Sequence, residues 1–185
     1  INIICGFHAV KAALLNNQRE HHELLISENN NKIANNYRSK IKKITVLNQK
    51  DFKKLYGSEK STQGIVLKTK DFERPSLKQF LKNENFNNRS VVVALDQITD
   101  PQNIGSIMRS CALFNCKGIL IAKDNSPDLT PSLYKAASGA AEIVNYFRVT
   151  NLKRSISELK KTGYWAYGFD SSNNENSDNI NFSKN

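Results

Sequence analysis

Short apolar blocks separated by polar turns alternate between two spacings along this chain. In GFHAVKAALL, residues Phe7, Val10, Ala13 and Leu14 recur at helical spacing and predict a helix, followed by the polar turn NNQREHH. ELLIS is a short strand pattern. NKIANNYRSKI sets Ile33, Tyr37 and Ile41 one turn apart and predicts a second helix, and KITVLNQ predicts a second strand. DFKKLYG is a short helix opened by Asp51 and closed by Gly57; after the loop STQ, GIVLKT gives a third strand. Such alternation implies a small α/β sandwich of roughly 70 residues.

DFERPSLKQFLKNENFNNR breaks this rhythm with Pro75, clustered asparagines and no long apolar period. It predicts a linker over residues 71–88, with a short helix from Ser76, between units at 1–70 and 89–185. VVVALDQI then opens the second unit as a continuous apolar run, suited to a strand buried on both faces of a parallel sheet. A helix at 103–114, strand GILIA, a helix near TPSLYKAAS, strand NYFRV, helix NLKRSISELKKT and strand YWAYGFD continue a doubly wound α/β pattern. In NLKRSISELKK, Leu152, Ile156 and Leu159 share one face and basic residues the other, as in a surface helix packed on a sheet. The polar end, SSNNENSDNINFSKN, has the character of a loop awaiting another strand.

Composition narrows the classes. No apolar run approaches the roughly 20 residues that span a bilayer. INIICGFHAVKAALL lacks a basic leader and carries Lys11 inside its apolar stretch, so no secretory signal and a cytoplasmic location are expected. Three cysteines, Cys5, Cys111 and Cys116, contain no C-x-x-C pair, and His8, His21 and His22 do not form a ligand set. Buried thiols, and no metal, are therefore expected. The net charge is +10, and residues 1–75 hold 14 Lys and Arg against 7 Asp and Glu, while 76–185 hold 13 against 10. The excess is concentrated in the N-terminal part, and its field favours a polyanion, nucleic acid first among them.

The most specific chemistry sits in DQITDPQNIGSIMRS. Pro101 cannot donate to a ladder and biases Asp100 away from helix, so the strand must stop there, at the carboxyl end where open α/β sheets bind ligands. Asn103 is expected as the N-cap of the next helix. Ile104, Ile107, Met108, Cys111 and Ala112 form its buried stripe. Gly105 and Arg109, four apart, are expected on another face, where the glycine leaves the backbone open to a bulky neighbour.

The run D-x-x-x-D-P-x-N-x-G-x-I-x-R-x-x-x-x-F, from Asp96 to Phe114, resembles the first signature motif of the SpoU (TrmH-like) family of RNA ribose 2′-O-methyltransferases. The resemblance extends through NSPDLTPSLYKAASGAAEIV, FRVTNL and YWAYGFD. GFHAVKAAL and STQGIV are similar to the N-terminal RNA-binding domain of the bacterial 23S ribosomal RNA guanosine 2′-O-methyltransferase subgroup. It implies an RNA-binding α/β sandwich joined to a parallel α/β domain of the knotted SPOUT type. It also implies S-adenosylmethionine as methyl donor, ribosomal RNA as substrate and a homodimer. The implied catalytic residues are Asn103 and Arg109, with Arg109, Lys11 and Gln63 facing RNA and Phe169 and Asp170 beside the cofactor. Ser138-Gly139-Ala140-Ala141 resembles the family's small-residue segment and is expected to serve tight helix-to-strand packing. The family's second motif (G-x-E-x-x-G) and third motif (an S-x-N-V-S-like run) do not occur within these residues. Most cofactor contacts are therefore expected beyond Asn185, and these residues alone are expected to be inactive.

An arginine pKa above about 12 makes a neutral guanidine scarce, so Arg109 is better suited to holding phosphate and developing alkoxide charge than to acting as a base. Three other readings compete: a transfer RNA enzyme of the same family, a non-catalytic RNA-binding protein, and a nucleotide-binding oxidoreductase using Asp170. The last lacks a G-x-G-x-x-G after any strand.

Overall fold

A computed structural model describes residues 1–57, 59–83, 90–124 and 126–169. Strand β1 (Asn2–Cys5) leads into α1 (Phe7–Leu15), then β2 (His21–Ser27), α2 (Asn31–Ala34) between two short 3-10 turns, β3 (Ile44–Leu47), α3 (Gln49–Tyr56), α4 (Glu59–Thr62) and β4 (Ile65–Thr69). Helix α5 (Leu77–Asn83) precedes β5 (Val92–Leu95), α6 (Pro101–Leu113), β6 (Gly118–Ala122), α7 (Pro131–Ala137), a 3-10 turn at Ala140–Glu142, β7 (Asn145–Val149) and α8 (Leu152–Lys161).

The strands make two sheets. The first has the order β1-β4-β2-β3, antiparallel except for the parallel pair β2 and β3; the second has the order β5-β6-β7, all parallel. Side-chain alternation along the second sheet sorts its two faces. Ile119, Ile121 and Tyr146 join a large cluster with α6 and α7, whereas Leu120 and Phe147 point the other way to Leu77, Phe80 and Leu159 of α5 and α8. The large cluster does not stop at the second sheet. It continues through Tyr134 and Ala137 to Ile4, Val10, Leu24 and Leu67, so the two sheets share one apolar core.

Several sequence expectations change here. β1 precedes the first expected helix and supplies an extra strand, its Ile4 fully buried. The helix expected over NKIANNYRSKI breaks into α2 and a 3-10 turn, although Ala34 and Ile41 still reach the core. Its three asparagines favour caps and turns over helix interior. β5 is not buried on both faces: among the described residues it is the sheet's edge, with Ala94 and Val91 exposed, and β6 is the strand covered on both sides. YWAYGFD forms no strand over residues 164–169, and Asp170 lies outside the described residues. Tyr164 is anchored, its hydroxyl 2.5 Å from Ser90 Oγ beside the β5 edge. The short helix expected from Ser76 is α5, opened by a reciprocal cap: Ser76 N donates to Gln79 Oε1 and Gln79 N to Ser76 Oγ.

A polar seam locks the two sheets together beneath this core. Arg19, in the turn after α1, has a side chain with no exposure. It donates through Nε to Glu142 Oε2 at 2.7 Å and through Nη2 to Glu142 Oε1 at 2.8 Å and Tyr134 Oη at 3.0 Å. Nη1 reaches Asp71 at 3.1 Å. Arg74 stacks on Phe72 and donates to the Ala141 carbonyl at 2.8 Å, so the chain just after β4 is pinned to the second sheet's layer. Burial alone lowers the Arg19 pKa. The hydrogen bond and charge of Glu142, with Tyr134, outweigh it and leave the pKa raised, so the guanidinium stays charged.

Candidate functional site

Helix α6 begins one turn after β5 ends. Asp96 and Gln97 form a bend, with Gln97 in the left-handed region at φ 55°, a conformation that costs a non-glycine residue roughly 1–2 kcal/mol. Asp100, not Asn103, is the N-cap. Its carboxylate accepts from Gln102 N at 3.0 Å and Pro101 fills the first helical position, where its missing N–H costs nothing. The sequence expectation placed the cap three residues late because Pro at the first turn is compatible with helix. That displacement frees Asn103, which sits exposed in the first turn with its side chain available.

Gly105 also departs from expectation. It is buried, and a Cβ there would lie 2.4 Å from Ala136 Cβ and 2.8 Å from the Ala137 nitrogen. The glycine lets α6 and α7 touch backbone to side chain; it does not open a surface for a partner. Ile104, Met108 and Cys111 form the buried stripe, with Ile107 and Ala112 half-buried at its margin. Burial and the neighbouring Cys116 push the Cys111 pKa up to about 12, so this thiol stays protonated.

The exposed face of α6 carries polar side chains beside a depression. Gln97, Ile98, Thr99, Asp100, Asn103, Ser106 and Ile107 line an open depression of about 420 Å³ at the carboxyl end of β5. Arg109 lies one turn beyond its rim, exposed, with Nη2 3.5 Å from Ser106 Oγ. Contact that long holds the guanidinium weakly and leaves its fork open. Asn103, Ser106 and Arg109 thus follow one another at three-residue steps from the depression outward. Ser106, Gln97 and Thr99 were not singled out from the sequence. Their only signal was adjacency to Asn103 and Arg109.

Lys11 and Gln63 sit elsewhere, on the first sheet's side. Lys11 is exposed on α1, and Gln63 Oε1 accepts from Phe7 N at 2.8 Å, satisfying a free amide at the start of that helix. α7 packs against both α1 and α6 and so stands between these residues and Arg109. Phe169 is 71% exposed and is not among the residues that line the depression, and Asp170 is outside the described residues. The Ser138–Ala141 segment packs tightly against α1: at Gly139, φ 96°, a Cβ would lie 2.7 Å from Ala12 Cβ. Among the described residues no helix is long and apolar enough to cross a membrane, and no group of three His, Cys, Asp or Glu side chains could hold a metal ion.

Several solved SpoU methyltransferases share this fold. AviRb from Streptomyces viridochromogenes, solved in complex with the cofactor AdoMet, superposes over 86% of this chain and 59% of its own with a TM-score of 0.67 at 16% identity. An AdoMet-bound rRNA methyltransferase from Sinorhizobium meliloti matches 87% of this chain and 58% of its own with a TM-score of 0.64 at 18% identity. This chain therefore spans a little under three fifths of the solved proteins it matches.

Sequence similarity is closer. A Staphylococcus aureus (strain MSSA476) relative, provisionally named a TrmH family tRNA/rRNA methyltransferase, is 34% identical over 177 residues, 92% of this chain and 70% of the relative. Bacillus subtilis YacO, under the same provisional name, is 37% identical over 119 residues, 64% of this chain and 48% of YacO. Residues 90–185 match the SpoU rRNA Methylase family, and residues 3–75 match the RNA 2′-O ribose methyltransferase substrate-binding family. The chain belongs to the SpoU rRNA Methylase family.

Proposed function

We propose that this chain is the RNA-binding and RNA-facing catalytic part of an enzyme that methylates a ribose 2′-hydroxyl of RNA, with ribosomal RNA the favoured substrate and S-adenosylmethionine the methyl donor. The observation that carries the reading is the α6 edge: Asn103, Ser106 and Arg109 set in sequence beside an open polar depression at a strand end, within the stretch that matches the family.

S-adenosylmethionine supplies an already activated methyl group in such a reaction, which leaves position and charge for the protein to provide. The depression is open, and Asp100, the one carboxylate lining it, is engaged as a helix cap. An open lining of amide, hydroxyl and apolar side chains suits the RNA side of the site. Arg109 has a planar fork that matches a phosphate or an alkoxide. Asn103 offers an amide within the same depression to orient the ribose. A 2′-hydroxyl is also the group that distinguishes RNA from DNA, which fits an RNA-restricted substrate.

The reading divides the labour between a substrate-binding unit over residues 1–70 and a catalytic unit over 89–185, joined by 71–88. Support comes from the two family matches, over 3–75 and 90–185, which leave 76–89 between them. A homodimer working in the cytoplasm belongs to the same reading. The large apolar side chains Leu113, Phe114 and Ile143, each at least 75% exposed, support a further protein contact. The test is methyl transfer from isotopically labelled S-adenosylmethionine by the full-length gene product, offered total ribosomal RNA and total transfer RNA separately. Label in ribosomal RNA at a ribose 2′-oxygen is expected. Label confined to transfer RNA moves the substrate, and label in neither overturns the enzyme reading.

A further inference from the structure

The N-terminal charge excess is not spread over its sheet. Residues 31–57 hold eight Lys and Arg against one acidic residue, Asp51, which equals the whole +7 excess of residues 1–75. The structure gathers this segment around a single edge. Ala34 and Ile41 pack on one face of the first sheet, β3 forms its edge, and Phe52 of α3 packs on the opposite face with Leu25 and Val66. The chain therefore wraps the β3 edge and lines it with Arg38, Lys40, Lys42, Lys50, Lys53 and Lys54, all exposed. Lys43 is excluded, since it pairs with Glu23 at 2.9 Å. No ion pair to a carboxylate joins the other six among the described residues; Arg38 contacts only Asn35.

Two features say what such an edge would hold. First, β3 lies at the opposite end of the sheet from β1, the strand that packs on α7, about 14 Å away at the usual strand spacing. A ligand reaching both the β3 edge and Arg109 must be long. Second, the edge offers no aromatic platform. Tyr37 is half-buried against the shared core, and Tyr56 is half-buried against Phe52, with ring centroids 5.6 Å apart. Single-strand binders combine cations with exposed aromatic rings on which bases stack, whereas duplex RNA is held through phosphates and shape.

We propose that the β3 edge and α3 form a phosphate-tracking grip for a double-helical RNA stem that flanks the nucleotide presented to Arg109. This rests on the RNA methyltransferase reading and extends it to the form of the substrate. Lysines beside an edge strand also discourage edge-to-edge pairing, so the test must separate the two roles.

In the full-length protein, Lys40, Lys42, Lys53 and Lys54 are changed together to Gln. The control changes Lys78, Lys82, Lys160 and Lys161 on α5 and α8, exposed cations on the far face of the second sheet. Affinity for a perfect RNA duplex and for poly(U) is measured across a salt series. For the edge variant the slope of log K against log salt on duplex is expected to become shallower by about 3.5, as for four lost phosphate contacts, and by less than about 1 for the control. Wild-type protein is expected to prefer duplex to poly(U). Equal slopes for the two variants, or an edge variant that only self-associates while keeping duplex affinity, overturn the proposal, as does a wild-type preference for poly(U). Failure of the enzyme reading shows separately: wild-type protein that methylates no RNA yet keeps the edge-dependent slope leaves the grip standing.

Discussion

Arg19 and Glu142, 123 positions apart, meet in a two-pronged ion pair at the seam between the sheets, with neither side chain more than 5% exposed. Removing one partner from a buried pair leaves a charge with no compensation, which typically costs about 3–5 kcal/mol. Glu142→Ala is therefore expected to lower unfolding stability by about 3 kcal/mol in urea titration. The double change Arg19→Met, Glu142→Leu should cost much less than the single one. A Glu142→Ala loss below about 1 kcal/mol would show that Asp71 and Tyr134 alone keep Arg19 satisfied.

At Gly105 two effects compete. Alanine is favoured over glycine inside a helix by about 1 kcal/mol, but its methyl would meet Ala136 Cβ at 2.4 Å and Ala137 backbone at 2.8 Å. Backbone cannot step aside as a flexible side chain can, and overpacking costs about 1–3 kcal/mol. Gly105→Ala should thus be destabilising by thermal melting. A rise in melting temperature would mean that α6 and α7 slide apart at little cost.

Asp100 and Asn103 have separable roles. Asp100→Ala removes the cap of α6 and should cost about 1 kcal/mol of stability. Asn103→Ala, at an exposed first-turn position, should stay within about 0.5 kcal/mol while lowering methyl transfer. Denaturation and turnover measured on both variants check the split, and the reverse pattern would return the cap to Asn103.

Glu23 predicts an acid limb. Hydrogen bonds from Lys43, Lys68 and Thr45 bring its pKa from the ordinary 4.5 down to about 2. A carboxylate depressed in the folded state adds stability above its unfolded pKa and loses it as pH falls toward the folded value. The contribution should be full above pH 4.5 and fade between 4.5 and about 2. Melting temperatures across that window should fall less steeply for Glu23→Gln than for wild type.

The second sheet was legible because its strands and helices are punctuated by strong signals: Pro101, Pro131 and Asn151 each open a helix close to where the pattern placed it. Thr130 and Asn151 cap as their types suggest. What escaped was whatever depends on distant partners. Nothing local marks Arg19, in a polar turn, as a buried residue; its burial follows from Glu142 and Tyr134 arriving from the other sheet. Likewise β5 has the composition of a central strand, and its edge position is set by strand order, which hydrophobic pattern does not encode. In the candidate site, Asn103 and Arg109 were found through their motif, while the burial of Gly105 required α7 to be in place.

The central claim is that Arg109 acts on the reacting RNA and is not merely a solvated charge. Arg109→Lys keeps the charge and loses the planar fork. Single-turnover methylation of target RNA by the full-length protein measures the consequence, with melting temperature as the folding control. The account predicts a fall of about two orders of magnitude or more in rate, the scale of one lost transition-state donor, with RNA and cofactor affinity changed far less. A variant that folds normally and methylates at the wild-type rate would contradict it.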